Sequence, residues 1–130
     1  MADLPRAAAA TSSAAQTITT TTETIVATSP PAAVPFGSAF AFVFGFLQMS
    51  TGTGVTGVTA RIRRGNLVTG PLVGGANVVA AAASTAIGAD IAVLDSLVSF
   101  DAAQYVLTIQ QAAATGNGTV NQATILVLLF

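Results

Sequence analysis

Phenylalanine occupies every second position from Phe40 to Phe46, and small or apolar residues fill the positions between them. In a β-strand, alternate side chains point to opposite faces, so this spacing places all four rings on one face. On an α-helix the same rings would scatter around the axis. We therefore expect a strand whose rings fill a sandwich core. Replacing Phe42 or Phe44 by alanine would then destabilise the fold by about 3–5 kcal/mol.

Seven further segments contain β-branched or alternating apolar residues between turn signals, and each predicts a strand. They cover residues 16–28, 56–64, 67–73, 76–83, 89–100, 103–112 and 118–130. By propensity alone, residues 76–83 also suit a helix. A strand is favoured there because the segment is short, follows two glycines directly and lacks a helix cap.

Glycine-containing pairs mark the turns between these strands. Gly65-Asn66 and Gly116-Asn117-Gly118 are typical of tight hairpins, because both residue types tolerate positive φ. Gly74-Gly75 predicts another turn. Eight short strands without a convincing helix predict an all-β fold. We expect an eight-stranded jelly-roll-like β-sandwich, with an immunoglobulin-like sandwich as the alternative.

The first fifteen residues differ in composition from the rest of the chain. They are mostly small, of low complexity, and lack a periodic apolar face. We expect residues 1–15 to form an N-terminal extended arm, either flexible or docked on a partner. Residues 16–130 are expected to form the β-sandwich domain.

Charged residues are scarce, at nine of 130, although 52% of the chain is hydrophobic. Soluble domains usually contain about a quarter charged residues. A surface so poorly charged is stable when other protein covers much of it, so the composition predicts a subunit of an assembly. The longest apolar stretches all fall short of the roughly 18–20 residues that a membrane-spanning helix needs, and we expect no membrane partner.

The residue inventory excludes most catalytic chemistry, because the chain contains no His, Cys or Lys. Asp95 and Asp101 could pair as general acid and base, and Asp90 with Asp95 could contribute to a calcium site. However, Asp90 and Asp101 lie where a strand entry and a turn are expected, and the spacing matches no compact calcium loop. We expect a protein that is not an enzyme and that needs no cofactor or metal. A net charge of −1 also argues against a nucleic-acid partner.

The last six residues are apolar at consecutive rather than alternate positions. A strand with one solvated face should alternate, so this segment must be covered on both faces. Its own core covers one face, and we expect a neighbouring subunit to cover the other. The predicted oligomer interface consists of Ile125, Leu126, Val127, Leu128, Leu129 and Phe130.

Three of the four arginines cluster at Arg61, Arg63 and Arg64. They could form a solvated strand end that blocks edge pairing. They could equally form a docking patch for carboxylates of a partner, because arginine binds carboxylates in a bidentate manner. Since the rest of the surface is nearly uncharged, we favour the docking patch.

The portion from Ala60 to Phe130 resembles small virion proteins of tailed bacteriophages. The resemblance rests on ARIRRGNLVTG and on QYVLTIQQAAATGNGTVNQATILVLLF, in which a Gly-Asn-Gly segment precedes a closing apolar strand. The group is the jelly-roll capsid decoration, or cementing, proteins, which are similar to trimeric tumour-necrosis-factor-like folds. This resemblance implies a homotrimer on the capsid surface, with the N-terminal arm reaching over capsid subunits. It supplies no catalytic residues.

Together these observations predict a structural virion protein on the capsid surface. Its expected partners are other copies of itself and the major capsid protein. The alternative is a phage tail or fibre module that binds a host receptor.

Overall fold

The computed structural model describes residues 7–13, 15–55, 57–80, 84–97, 102–112 and 117–130. These residues form eleven strands and no helix. The strands are β1 (Ala7–Ser13), β2 (Gln16–Ile18), β3 (Thr24–Thr28), β4 (Ala32–Ala33), β5 (Phe40–Ser50), β6 (Gly57–Arg64), β7 (Leu72–Ala80), β8 (Ala86–Ser96), β9 (Ala102–Ala103), β10 (Tyr105–Gln111) and β11 (Gly118–Leu129).

The strands form two antiparallel sheets that pack face to face. Sheet A has the order β1-β11-β5-β8, with β2 also paired to β11, and sheet B has the order β3-β10-β6-β7. Strands β4 and β9 form a separate short ribbon. The all-β sandwich is therefore confirmed, but the count of eight strands was too low. Strands β1 and β2 share one edge of β11, so the two main sheets still have eight strand positions. These positions can be numbered one to eight along the chain, with β1 and β2 counted together and the ribbon strands β4 and β9 left out. Their order is then 1-8-3-6 in sheet A and 2-7-4-5 in sheet B, which is the order of a jelly roll.

Two of the predicted connections are wrong because strand pairing is long-range. Residues 16–28 were expected to form one strand, but β2 lies in sheet A and β3 in sheet B, so the chain crosses between sheets there. The expected hairpin at Gly116-Asn117-Gly118 does not join neighbouring strands either. Strand β10 pairs with β3 and β6, whereas β11 pairs with β1, β2 and β5.

Gly74-Gly75 lies inside β7 and not in a turn, so the two strands expected over residues 67–73 and 76–83 are one strand, Leu72–Ala80, as far as the structure describes them. Residues 81–83 lie outside the described residues. The φ of Gly74 is +67°, and a Cβ there would lie 2.6 Å from Cγ1 of Val93 on β8. The pairing of β6 with β7 shifts register between Ala60 and Ile62. Glycine is needed at position 74 because sheet B bends there and approaches the edge of sheet A closely.

The segment predicted as an arm contributes a strand to this structure. Residues 7–13 pair with β11 from Leu129 to Ala123. Residues 1–6 and 14 lie outside the described residues. The division at residue 15 therefore stays a prediction about how the segment behaves when partners are present.

The phenylalanine-rich strand has the opposite orientation to the one expected. On β5, Ala41, Val43, Gly45, Leu47 and Met49 face the core and are buried. Phe40 and Phe46 are 40% and 46% exposed on the outer face of sheet A. Phe42 and Phe44 are partly exposed on that face.

The small residues of β5 point inward because the space between the two sheets is limited. A Cβ at Gly45 would lie 2.7 Å from Cδ1 of Leu107 and 3.0 Å from Cγ2 of Ile91. Even a methyl group at position 45 would force Leu107 or Ile91 to shift, and a ring would require a much larger rearrangement of this part of the core. The small-residue face of β5 must therefore point inward, and the rings point outward.

This orientation predicts unequal effects of two neighbouring substitutions. Leu47→Ala should destabilise the fold by about 2–5 kcal/mol, because it leaves a cavity in the core. Phe46→Ala should cost less than about 1 kcal/mol in the isolated chain, because that ring is 46% exposed and its removal leaves no cavity in the core. Denaturant unfolding at a protein concentration low enough to exclude association measures both changes. Equal costs would contradict the orientation of β5.

Candidate assembly surface

The outer face of sheet A is apolar across its centre. Pairing of β11, β5 and β8 places Leu128, Phe42 and Leu94 in one cross-strand row. The next row contains Leu126 and Phe44. We call this surface the phenylalanine face and define it by Phe40, Phe42, Phe44, Phe46, Leu94, Leu126, Leu128 and Phe130.

The rings on this face contact one another. Phe42 and Phe44 have centroids 4.4 Å apart at an interplanar angle of 56°. Phe44 and Phe46 are nearly parallel at 6.3 Å. Phe40 stacks on Phe130 at 5.4 Å. These contacts shield part of each ring, yet Leu94 is 60% exposed. A contiguous apolar patch of this kind on a soluble domain marks an interaction site.

One end of the phenylalanine face is polar. Phe46 pairs with Thr124 on one side and Asp90 on the other, and Gln48 pairs with Gln122 in the following row. A depression of about 460 Å³ opens at this end, lined by Phe46, Leu47, Gln48, Gly88, Asp90, Gln122 and Thr124. An apolar centre with a polar margin is the usual arrangement of a protein interface.

The outer face of sheet B holds an ion-pair cluster on β6 and β10, and it also exposes Leu72 and Val78 of β7. The Glu23 carboxylate accepts hydrogen bonds from Arg61 Nη1 at 3.1 Å, from Arg63 Nη2 at 2.8 Å and from Thr108 Oγ1 at 2.8 Å. Arg61 Nη1 also donates to Gln110 Oε1 at 2.9 Å. The hydrogen bonds from Arg63 lower the pKa of Glu23 below its ordinary value of 4.5, against the opposing effect of partial burial.

The third arginine belongs to a different group, which joins the two sheets. Arg64 Nε donates to Asp95 Oδ2 at 2.8 Å, and Arg64 Nη2 donates to Oδ1 of the same carboxylate. The Tyr105 hydroxyl donates to Asp95 Oδ2 at 2.8 Å. Burial raises the pKa of the Tyr105 phenol, and its bond to Asp95 adds to this effect. The carboxylate on β8 thus binds side chains of β6 and β10 across the core.

The predicted interface residues divide between two environments. Ile125, Val127 and Leu129 are fully buried in the chain's own core. Leu126, Leu128 and Phe130 lie on the outer side and are partly exposed. The prediction of a subunit contact therefore applies to these outer three residues, and it stays a prediction.

The predicted docking arginines also divide, because Arg61 and Arg63 bind Glu23 whereas Arg64 binds Asp95.

Sequence reasoning missed the four phenylalanines and Leu94 as surface residues. The absence of polar residues from both faces of β5 between Phe40 and Leu47 was the available signal, since a one-sided strand should carry polar residues on its other face.

Nothing in the described part of the chain resembles the catalytic or metal sites considered above. Asp95 is engaged by Arg64 and Tyr105, and Asp101 lies outside the described residues. Within the described ranges no group of three or more His, Cys, Asp or Glu residues could hold a metal ion. The same residues include no helix that is long and apolar enough to cross a membrane.

Comparison with known proteins supports the fold. The sequence matches no protein-family model and no curated protein sequence. Its structure is similar to a chain in the structure of infectious bursal disease virus, Gx strain, with a TM-score of 0.50 and 13% sequence identity. The match covers 97% of this chain but only 32% of the virus chain, so this chain spans about a third of that protein. At this identity the likeness concerns the fold alone.

A second similar structure belongs to the disulfide-linked pili that form Bacillus endospore appendages. It shares 22% identity and covers 100% of this chain and 97% of that chain. Its TM-score of 0.41 is too low to support an argument about this protein.

The group around Asp95 should be important for stability. Asp95→Asn is expected to destabilise the fold by about 3 kcal/mol, because it leaves Arg64 without its buried counter-charge. Asp90→Asn is the matched control, since Asp90 is exposed, and it should change stability by less than about 0.5 kcal/mol. Thermal or denaturant unfolding of both variants at neutral pH tests this. A loss of stability in Asp95→Asn as small as that in Asp90→Asn would contradict a stabilising role of the Arg64–Asp95 pair.

Glu23 should make stability depend on acidic pH. Its folded-state pKa is lowered, so its stabilising contribution is fully present above about pH 4.5 and is lost as pH falls through the lower folded value. Glu23→Gln should therefore be less stable than wild type at neutral pH. The difference should shrink below pH 4.5. Melting temperatures measured from neutral pH to about pH 2.5 check the sign, and a difference that grows on acidification would contradict it.

Proposed function

We propose that this chain is a structural component of a virus particle, a homo-oligomeric protein that coats and stabilises the capsid surface. The observation that carries the proposal is the contrast between the two outer faces. The phenylalanine face carries a contiguous group of aromatic and aliphatic side chains that needs protein to cover it. The outer face of sheet B carries the ion-pair cluster beside the exposed Leu72 and Val78. A protein whose two faces differ in this way is suited to an assembled shell. The resemblance to capsid decoration proteins implies a trimer and the major capsid protein as the partner.

Two further observations support this proposal. The fold is similar to that of a chain in a virus structure, and viral capsid domains are frequently built on jelly rolls. In the described residues, every charged side chain except that of Asp90 belongs to one of two ion-pair clusters within the chain. These clusters leave the phenylalanine face and the exposed parts of Arg61 and Arg63 as the surfaces on which the proposal rests.

We propose that the cluster of Arg61, Arg63 and Glu23 contacts the capsid. Two arginines and one glutamate carry a net charge of +1, so the cluster can still attract a carboxylate of the major capsid protein. The side chains of Arg61 and Arg63 retain 21% and 20% of their exposure. Arg64 contributes less to docking, because Asp95 occupies its guanidinium from within the chain.

Binding to shells that lack this protein tests the proposal. Wild-type protein should bind such shells in a salt-sensitive manner, measured as copies bound after sedimentation. Arg61→Gln with Arg63→Gln should weaken binding. Glu23→Gln should strengthen it and steepen its salt dependence, because the local charge rises from +1 to +2.

This pair of variants separates docking from stability. Both changes break the same intramolecular ion pairs, so a purely structural role would weaken binding in both. Opposite effects support docking through the arginines. Failure of the wild-type protein to bind any shell would contradict the virion role.

The alternative function, a phage tail or fibre module that binds a host receptor, is favoured by one feature. Phe36 lies in the loop between β4 and β5 and is fully exposed. Aromatic side chains on loops commonly anchor recognition surfaces. Binding to host cells that is lost in Phe36→Ala, without binding to shells, would support this alternative.

A further inference from the structure

We infer that the phenylalanine face pairs two copies of this chain, packed sheet against sheet about a two-fold axis parallel to the strands and between β5 and β11. This inference rests on the self-association proposed above. It specifies the surface and the symmetry of the contact. A two-fold contact makes the copy number even, in contrast to the trimer that the resemblance implies.

The relief of the face is the first argument for a second copy. The column along β5 carries four phenylalanine rings, which form a ridge. The neighbouring column on β11 carries smaller side chains in three of these rows, because Leu128, Leu126 and Thr124 pair with Phe42, Phe44 and Phe46. In the fourth row Phe130 stacks on Phe40, so the step is confined to the other three rows. At the edge, Ala8 and Ala10 of β1 are smaller still. The face is therefore a ridge beside a lower step.

A rotation about the stated axis places the ridge of each copy on the step of the other. Phe44 of one copy then lies over Leu126 of the second, and Phe42 lies over Leu128. Leu94 lies over Ala8, because β8 and β1 exchange places. Large side chains meet smaller ones in each of these rows, which allows close interdigitation of two sheet faces. A two-fold axis perpendicular to the strands would instead stack ridge on ridge.

The polar end of the face is complementary under the same rotation. Asp90 lies in the row of Phe46, Thr124 and Ser12. Among the charged residues that the structure describes, Asp90 belongs to neither ion-pair cluster. The rotation brings Asp90 over Ser12 of the second copy, whose hydroxyl can donate to the carboxylate. Gln48 and Gln122 also lie opposite each other, so amide donors meet amide acceptors.

The size of the face suits a contact between copies. At about 3.3 Å per residue and about 4.8 Å per strand, seven residues on four strands cover roughly 400 Å² of flat area. Two copies give roughly 800 Å², and the relief of the ridge increases the accessible area buried. The sum approaches the roughly 1,000 Å² that a specific interface requires.

The charges of the face argue against a lipid surface as the occupant. Surfaces that bind anionic membranes carry lysine or arginine around an apolar centre. The described charge on this face is Asp90, whereas Arg61 and Arg63 lie on the opposite sheet. In the two-fold contact, the Ser12 hydroxyl of the second copy faces the Asp90 carboxylate.

Engineered cysteines test the two-fold directly, because the chain contains no cysteine. Facing sheets lie about 10 Å apart, beyond the roughly 7 Å between Cα atoms that a disulfide spans, so the test uses a bifunctional thiol reagent that bridges sulfur atoms about 5 Å apart. Ser12→Cys with Asp90→Cys should give covalent dimers with this reagent, seen by denaturing electrophoresis and intact mass. Within one copy these residues are three strands apart, about 14 Å, which the reagent cannot span. Any bond between them is therefore intermolecular. Each single variant should remain uncrosslinked, since Ser12 does not face Ser12 and Asp90 does not face Asp90.

A second cysteine pair and a matched charge substitution complete the test. Ala10→Cys with Ala92→Cys lies in the central row and should crosslink in the same way. Leu94→Asp should convert the native dimer to monomer in native mass spectrometry, because it buries an unpaired charge. Leu67→Asp is the control: Leu67 is 61% exposed, against 60% for Leu94, but lies in the loop between β6 and β7. It should leave the dimer intact.

The outcomes separate this inference from the proposed function. A wild-type protein that is monomeric, or that forms trimers alone, overturns the two-fold contact, as does the absence of crosslinking in both cysteine pairs. Such a protein could still bind shells, and the virion role would then stand. Conversely, a crosslinked dimer that binds no shell supports the two-fold contact and contradicts the virion role.

Discussion

The close approach of the two sheets at Gly45 determines how the rest of the molecule is arranged. Leu107 of sheet B fills the space opposite this residue, and a single added carbon would lie 2.7 Å from it. The inner face of β5 must therefore carry small or slender side chains. Because alternate residues of a strand point to opposite sides, this one constraint sends every phenylalanine of the strand outward.

The outward rings explain why the chain can have so few charges. Sheet A presents an apolar face that suits contact with protein rather than water. Once protein covers this face, no charged side chains are needed on it for solubility. The described charges are concentrated elsewhere. Glu23 holds Arg61 and Arg63 on the outer face of sheet B, and Asp95 joins Arg64 and Tyr105 across the core. In the function proposed above, sheet A serves association, and the ion-pair cluster of sheet B faces solvent and partners.

Much of the secondary structure could be predicted from local patterns, but the pairing of strands could not. Alternation and turn residues located β5, β6, β10 and β11 to within a few residues. The same signals misjudged Gly74-Gly75 and the segment before Gly118. A glycine permits a turn, a bulge or a close approach equally well, and which of these occurs depends on strands that are distant in sequence. The docking arginines were recognised as a cluster, but their partners Glu23 and Asp95 lie 31 to 40 residues away.

By itself, the sequence determined that this chain folds as an all-β sandwich and that its side chains offer little catalytic chemistry, and it predicted that other protein covers much of the surface. These properties follow from β-branched residues, period-two alternation and a count of charges, all of which are local or additive. Only the tertiary structure decided which face of each strand is buried. Alternation divides side chains into two sets without saying which set points inward. That choice depends on the volume between the sheets, and the volume is set by side chains such as Leu107 and Ile91 on strands far along the chain.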